Sequence, residues 1–211
     1  MKKNIQRIGI TFVILMTIIT ACFKNDSDTE NRTILDNSNE DLALLIIDVQ
    51  NDYFDGGRHK LYRPSCALTN VEFILNHFRE KNISVIHVQH VNPVGAGFFE
   101  PNTWGVRIHE RLTPSKNEPV IVKNQISSFD GTELGKVLTE KGIKRLVICG
   151  MQTNVCVEAT TKDAKERGFE VTLLQDASAA LDPGTHNNAI DSLRGSYAAV
   201  LRTVDYFIQN Y

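Results

Sequence analysis

Three side chains in this sequence are of types that do covalent chemistry together. They are Cys156 in "CGMQTNVCVEAT", Asp48 in "IIDVQNDYFDGG" and Lys123 in "IVKNQISSF". A thiol, a carboxylate and an amine within reach of one another supply a nucleophile, a proton acceptor and a balancing cation, the set that acyl transfer through a thioester requires. Each type alone has a plainer use. A helical cysteine fills core, pairs in a disulfide or binds a metal; an aspartate at a strand end caps a loop; a lysine there reaches solvent. What joins the three is position, because Asp48 and Lys123 end apolar runs and Cys156 falls one turn beyond another.

Those runs define the elements that must carry the groups. "LALLIID" is a continuous apolar stretch, as expected of a parallel strand buried on both faces. "ISVIHVQ", "PVIVK", "KRLVICG", "FEVTLLQ" and "AAVLRTV" read as the other five strands. Between them lie helical patterns: "SCALTNVEFILNHFREKN", with Leu68, Val71, Ile74, Leu75 and Phe78 at helical spacing after Pro64, then "GTELGKVLTEKG", "TNVCVEATTKDAKERG" and "HNNAIDSLRGSY". Alternation with short joins predicts an α/β fold, a three-layer, doubly wound, mainly parallel six-stranded sheet. In such sheets ligands bind beyond the carboxyl ends of the strands, where all three reactive groups converge. The segment from His90 to Glu118 is a long insertion rich in Gly, Pro and aromatic residues, the composition of a binding loop or lid.

The chain opens "MKKNIQRIGITFVILMTIITACFKND". Lys2, Lys3 and Arg7 precede an apolar stretch, Ile8 to Ala21, that is short for a bilayer span, and "ITAC" is similar to the bacterial lipobox. The expectation is a signal peptide over residues 1–21, lipid on Cys22 and a flexible polar tether over residues 22–41. A single domain then occupies residues 42–211, and the protein is exported and attached to a bacterial membrane on its periplasmic or cell-surface face. Removal of residues 1–21 leaves 20 basic against 25 acidic side chains, a net charge of −5. That balance, with no basic stripe, argues against a nucleic-acid partner.

The stretches "LLIIDVQNDYFDGG", "PVIVKNQISSFDGTELGKVL" and "LVICGMQTNVCVEATTKDAKERGFEVTLLQDASAA" closely resemble the isochorismatase-like cysteine hydrolases, in order, over nearly all of Leu42 to Leu181. The resemblance implies a Rossmann-like topology and a catalytic triad of Asp48, Lys123 and Cys156. It also implies a cis peptide between Met151 and Gln152, with the amides of Gln152 and Cys156 forming an oxyanion hole, and assembly into dimers or tetramers. On this reading a helix N-terminus and a nearby ammonium lower the Cys156 pKa.

Departures from the family pattern narrow the chemistry. The family's metal-dependent nicotinamidases carry Asp-x-His and a further His after strand two; this chain has "HVQHVNPVGAGFFEPNTW" instead, so no metal or other cofactor is expected. His87 and His90 are an odd number of residues apart on a strand and point to opposite faces. His90 at the strand end is placed with Tyr53, Phe54, Trp104 and Phe129 as a candidate substrate pocket. Cys66, Cys149 and Cys156 are an odd number, so at least one thiol stays unpaired within the chain. The expected activity is hydrolysis of a small amide or related C–N bond. The alternatives are a nicotinamidase-type amidase and a non-catalytic binding lipoprotein.

Overall fold

The computed structural model describes residues 39–210. The signal peptide, Cys22 and all but the end of the tether lie outside the described residues. Residues 39–41, read as the end of the tether, instead form a 3-10 turn. It is tied to the domain by the Lys144 N–H donating to Asp41 O (2.8 Å) and by Arg145 donating to the Asp41 carboxylate (2.6 and 2.9 Å).

Six strands, β1 (Leu42–Ile47), β2 (Ser84–His90), β3 (Val120–Lys123), β4 (Arg145–Met151), β5 (Glu170–Ala179) and β6 (Ala199–Leu201), form a sheet of order β3-β2-β1-β4-β5-β6. Every neighbouring pair is parallel. Among the described residues five helices cover it: α1 (Pro64–Glu80), α2 (Leu134–Glu140), α3 (Glu158–Glu166), α4 (Pro183–Leu193) and α5 (Thr203–Asn210). All six residues of β1 are buried. Leu42, Leu44 and Ile46 pack with Leu68, Val71, Ile74, Leu75 and Phe78 of α1 and with Tyr206 of α5. Ala43, Leu45 and Ile47 face Leu134 and Leu138 of α2, Ala164 of α3 and Ile190 and Leu193 of α4. Both faces of the sheet are therefore apolar, which is why β1 reads as an unbroken hydrophobic run. Each fully buried Leu or Ile contributes about 1.5–3 kcal/mol of transfer free energy.

Boundaries differ from the sequence pattern where distant groups set them. The "AAVLRTV" run, expected to be strand throughout, stops at Leu201 and α5 begins at Thr203. The Asp176 carboxylate on β5 accepts from both the N–H and the hydroxyl of Thr203, each at 2.7 Å, and so fixes that start. Helix α4 begins earlier than its apolar spacing suggests, because Asp182 caps it by accepting from Thr185 N (2.9 Å) and Pro183 sits in its first turn. The segment expected to be one helix after β4 is a π-helical turn, Thr153–Val157, followed by α3.

The insertion is almost without regular structure apart from a 3-10 turn at Glu110–Leu112, and residues just after β1 pin it down. Gln50 donates to His90 O (2.8 Å) and Val106 O (2.7 Å) and accepts from His90 N (2.8 Å). The buried Asp52 carboxylate accepts from Phe99 N (2.6 Å) and Arg58 N (3.1 Å). Gly105 lies against that carboxylate so closely that a Cβ would overlap it.

Candidate active site

The strand order reverses between β1 and β4, and the carboxyl ends of these two strands carry Asp48 and the turn to Cys156. Asp48 directly follows β1 with φ of 51°, a left-handed conformation that turns the chain out of the sheet; its N–H still reaches Val88 O at 3.1 Å. Gly150 has φ of 132°, and a side chain there would overlap the Ile47 backbone, so β4 approaches β1 as closely as it does only with glycine at this position. The Met151–Gln152 peptide that follows is cis. Lys123, the last residue of β3, is the register partner of His90 on β2, which puts both side chains on the face that holds Cys156.

Lys123 Nζ is the centre of the site. It lies 2.9 Å from Asp48 Oδ2, 2.8 Å from His90 Nδ1 and 3.2 Å from Cys156 Sγ. It also lies 3.0 and 3.2 Å from the carbonyl oxygens of Gln125 and Ile126. Three ammonium protons face five acceptors, and the contact to Asp48 is a close ion pair. Both charged side chains are fully buried. His90 Nδ1 accepts from the ammonium, so the ring is neutral with its proton on Nε2, which donates to Asn92 Oδ1 (2.8 Å). Burial, together with the Lys123 charge, lowers the His90 pKa and favours the same neutral form.

Burial raises the Asp48 pKa, with Lys123 opposing. It pushes the Cys156 thiol up to about 12, with the Asp48 charge adding to the rise and Lys123 working against it. The lowered thiol pKa expected from the helix terminus and the ammonium is therefore overturned by desolvation. The resting site holds a neutral thiol beside an ion pair, and the thiol ionises only as its proton is taken. A carboxylate oxygen of Asp48, a ring nitrogen of His90 and Cys156 Sγ all lie within 4.8 Å of one another. These are also the atoms among the described residues that could hold a metal, and the Lys123 ammonium lies among them. The Gln152 N–H, one of the two proposed oxyanion donors, has no backbone acceptor among the described residues.

The family model for the isochorismatase domain matches residues 42–205. The chain belongs to the isochorismatase family. Among its relatives is YddQ of Bacillus subtilis, an uncharacterised isochorismatase family protein, 40% identical over 178 residues that cover 79% of this chain and 98% of YddQ. A solved protein of Oleispira antarctica assigned to the isochorismatase hydrolases superposes with a TM-score of 0.77 at 33% identity, covering 80% of this chain and 97% of its own. The pyrazinamidase of Pyrococcus horikoshii, solved in complex with zinc, superposes with a TM-score of 0.71 at 27% identity, covering 77% and 99%. The chain is thus an isochorismatase-like hydrolase with the family's three-layer α/β fold.

The residues placed in the candidate pocket divide. Tyr53 borders the Asp48–Lys123–Cys156 cluster: its hydroxyl is 3.5 Å from Gln152 Nε2, and the Asp48 and Cys156 charges add to burial in raising its pKa. Its ring meets Phe99 edge-on at 4.7 Å. Phe54 packs in the core against His109 at 4.5 Å. Phe129 stacks on Phe169 with the Arg167 guanidinium 4.9 Å away, and Trp104 is half exposed above Gly56. His87 is buried on the opposite face from His90, 3.0 Å from Glu118 Oε2. Cys66, Cys149 and Cys156 are free thiols, and Cys66 opens onto a cavity of about 270 Å³ between α1 and α4. Two contributors escaped the sequence reading. Asn92 holds His90, and His186 Nδ1 lies 2.9 Å from Thr153 Oγ1 in the turn that carries Cys156. The His90-x-Asn92 spacing was legible; nothing local signals His186, which arrives from α4.

Proposed function

We propose that this isochorismatase-family hydrolase cleaves a small amide or related C–N bond through a thioester on Cys156. The observation that carries the reading is the buried Lys123 ammonium, in contact with both Asp48 and Cys156. As the thiol attacks the amide carbon, Asp48 takes its proton, and the negative charge passes to the substrate oxygen. Donation from the Gln152 and Cys156 amides to that oxygen would contribute about 3 kcal/mol each. Asp48 then returns the proton to the leaving nitrogen, and water, deprotonated by the same carboxylate, hydrolyses the thioester. Lys123 keeps the net charge of the buried set balanced as the proton moves. A pocket for binding alone has no use for three buried ionisable groups, whose desolvation costs several kcal/mol per ion. The amidase relative supports the bond type, and the closed surroundings of Cys156 favour a small substrate.

A panel of small amides should give turnover with the unmodified chain. Cys156→Ser should remove nearly all of it while leaving the fold intact, because the hydroxyl is the weaker nucleophile. Asp48→Asn and Lys123→Ala should each cost orders of magnitude, non-additively, since the groups act as a unit. A Cys156→Ser variant with near-native rates would refute the assignment. From residues 1–22 alone comes the location: the protein is lipidated on Cys22 and acts from the membrane surface of a bacterium; from the family resemblance comes its assembly as a dimer or tetramer. Fatty-acid labelling that fails in the unmodified protein, or sedimentation as a monomer, would remove the corresponding part.

A further inference from the structure

A carboxylate oxygen, a ring nitrogen and a sulfur, from Asp48, His90 and Cys156, converge within 4.8 Å of one another. The point on which they converge is occupied by the Lys123 ammonium, at 2.9, 2.8 and 3.2 Å. We propose that these three groups form a latent site for a borderline-soft divalent metal of the zinc class, which the ammonium of Lys123 keeps closed.

The donor set is one that zinc takes, whereas hard magnesium and calcium take oxygen. His90 is prepared as a ligand. Its Nε2 proton is committed to Asn92 Oδ1 at 2.8 Å, which leaves the Nδ1 lone pair aimed at the cation position. Metal-binding histidines depend on such an outer hydrogen bond for tautomer and orientation. Asn92 is itself held, through its Nδ2 donating to Phe98 O at 3.1 Å. The Asp48 carboxylate is held by the Lys123 ammonium at 2.9 Å, and its lone pairs are freed when that ammonium leaves. Tetrahedral bonds of about 2.0–2.3 Å place donors about 3.3–3.8 Å apart, so the three groups must draw together by roughly 1 Å. Binding releases the Cys156 thiol proton and displaces the ammonium, so zinc binds the native chain weakly and better as pH rises. Lys123 thereby has a second duty: it protects the nucleophile from thiophilic metals.

The test uses the full chain with Lys123→Ala, equilibrated with zinc and then freed of unbound metal. Elemental analysis should find one zinc per chain in this variant and none in the unmodified protein at neutral pH. Zinc should raise the variant's melting temperature, because a ligand that binds only the folded state stabilises it. Cobalt in place of zinc should give a sulfur-to-metal charge-transfer band that disappears when Cys156→Ser is added. Adding Asn92→Ala should weaken binding about 10- to 100-fold. A folded Lys123→Ala protein that binds neither metal, or binds them equally well with Asn92→Ala and Cys156→Ser, overturns the proposal. If Lys123→Ala does not fold, the unmodified chain decides. Zinc should shield Cys156 from alkylation increasingly as pH rises, and no protection at any pH contradicts the site. None of these readouts uses a substrate, so they stand apart from the outcome of the amide assays.

Discussion

Alkylation of Cys156 in the resting protein should be slow at neutral pH, against the usual picture of a nucleophilic cysteine. With the thiol pushed up to about 12 by burial and then by Asp48, about one molecule in 10⁵ carries a thiolate at pH 7, against a few per cent for an ordinary thiol of pKa about 8.5. Iodoacetamide should therefore label Cys156 about three orders of magnitude more slowly than a free solvent-exposed thiol. Its logarithmic rate should climb with unit slope through pH 7 to 10. The informative perturbation is Asp48→Asn. It leaves the Lys123 ammonium 3.2 Å from Sγ without its counter-charge. At an effective dielectric constant near 20 that attraction is about 5 kcal/mol. Even half of it, newly unopposed, raises the thiolate population about 50- to 100-fold. Asp48→Asn should thus label faster while turnover collapses, because the proton acceptor is gone. The assay is peptide mass spectrometry resolving Cys66, Cys149 and Cys156 over a pH series. A rate plateau near neutral pH in the unmodified protein, or slower labelling in Asp48→Asn, would refute the reasoning.

Three further outcomes follow from the same geometry. Burial works to raise the Glu118 pKa, but Arg79, the Ser115 N–H and His87 outweigh it and bring it to about 2 from 4.5. A depressed folded pKa stabilises above the unfolded value and is lost as pH falls from about 4.5 to 2, here about 1–3 kcal/mol once solvent screening is allowed for. Urea melts at pH 6 and 2 should show that loss on top of the contributions of Asp41, Glu72 and Asp182, whose pKa values are also lowered, and Glu118→Gln should remove its own share. Gly105→Ala should destabilise by about 1–3 kcal/mol in thermal melts, because its Cβ would overlap the Asp52 carboxylate that holds Phe99 N; a neutral result would mean that the insertion is not anchored there. Exhaustive chelation should leave turnover unchanged, since the ammonium already stands where a catalytic cation would; activity lost on chelation and restored by one metal would contradict this.

The layers and most of the site could be read from the sequence because both are written locally. Unbroken apolar runs such as "LALLII" report a strand covered on two faces, and a reactive residue at the end of each run reports the sheet's carboxyl edge. The parts that escaped depend on residues far apart in the chain. The start of α5 at Thr203 is set by Asp176, 27 residues earlier, and propensity alone read the segment as strand. Phe129 looked like pocket lining, and only the packing shows it against Phe169 and Arg167. The thiol's ionisation is hidden for the same reason: a helix terminus and an ammonium are visible in sequence, whereas the depth of burial that outweighs them is a property of the whole fold.

A thioester on Cys156 is tested most directly by the intact mass of the protein quenched during turnover. With an amide that is a true substrate, acid quench should trap a species heavier by the acyl group alone, without the leaving amine. Peptide mapping should place the group on Cys156, and it should vanish in Cys156→Ser. Rapid turnover of the same amide with no such adduct at any quench time, or an adduct mapped to another residue, would contradict the account.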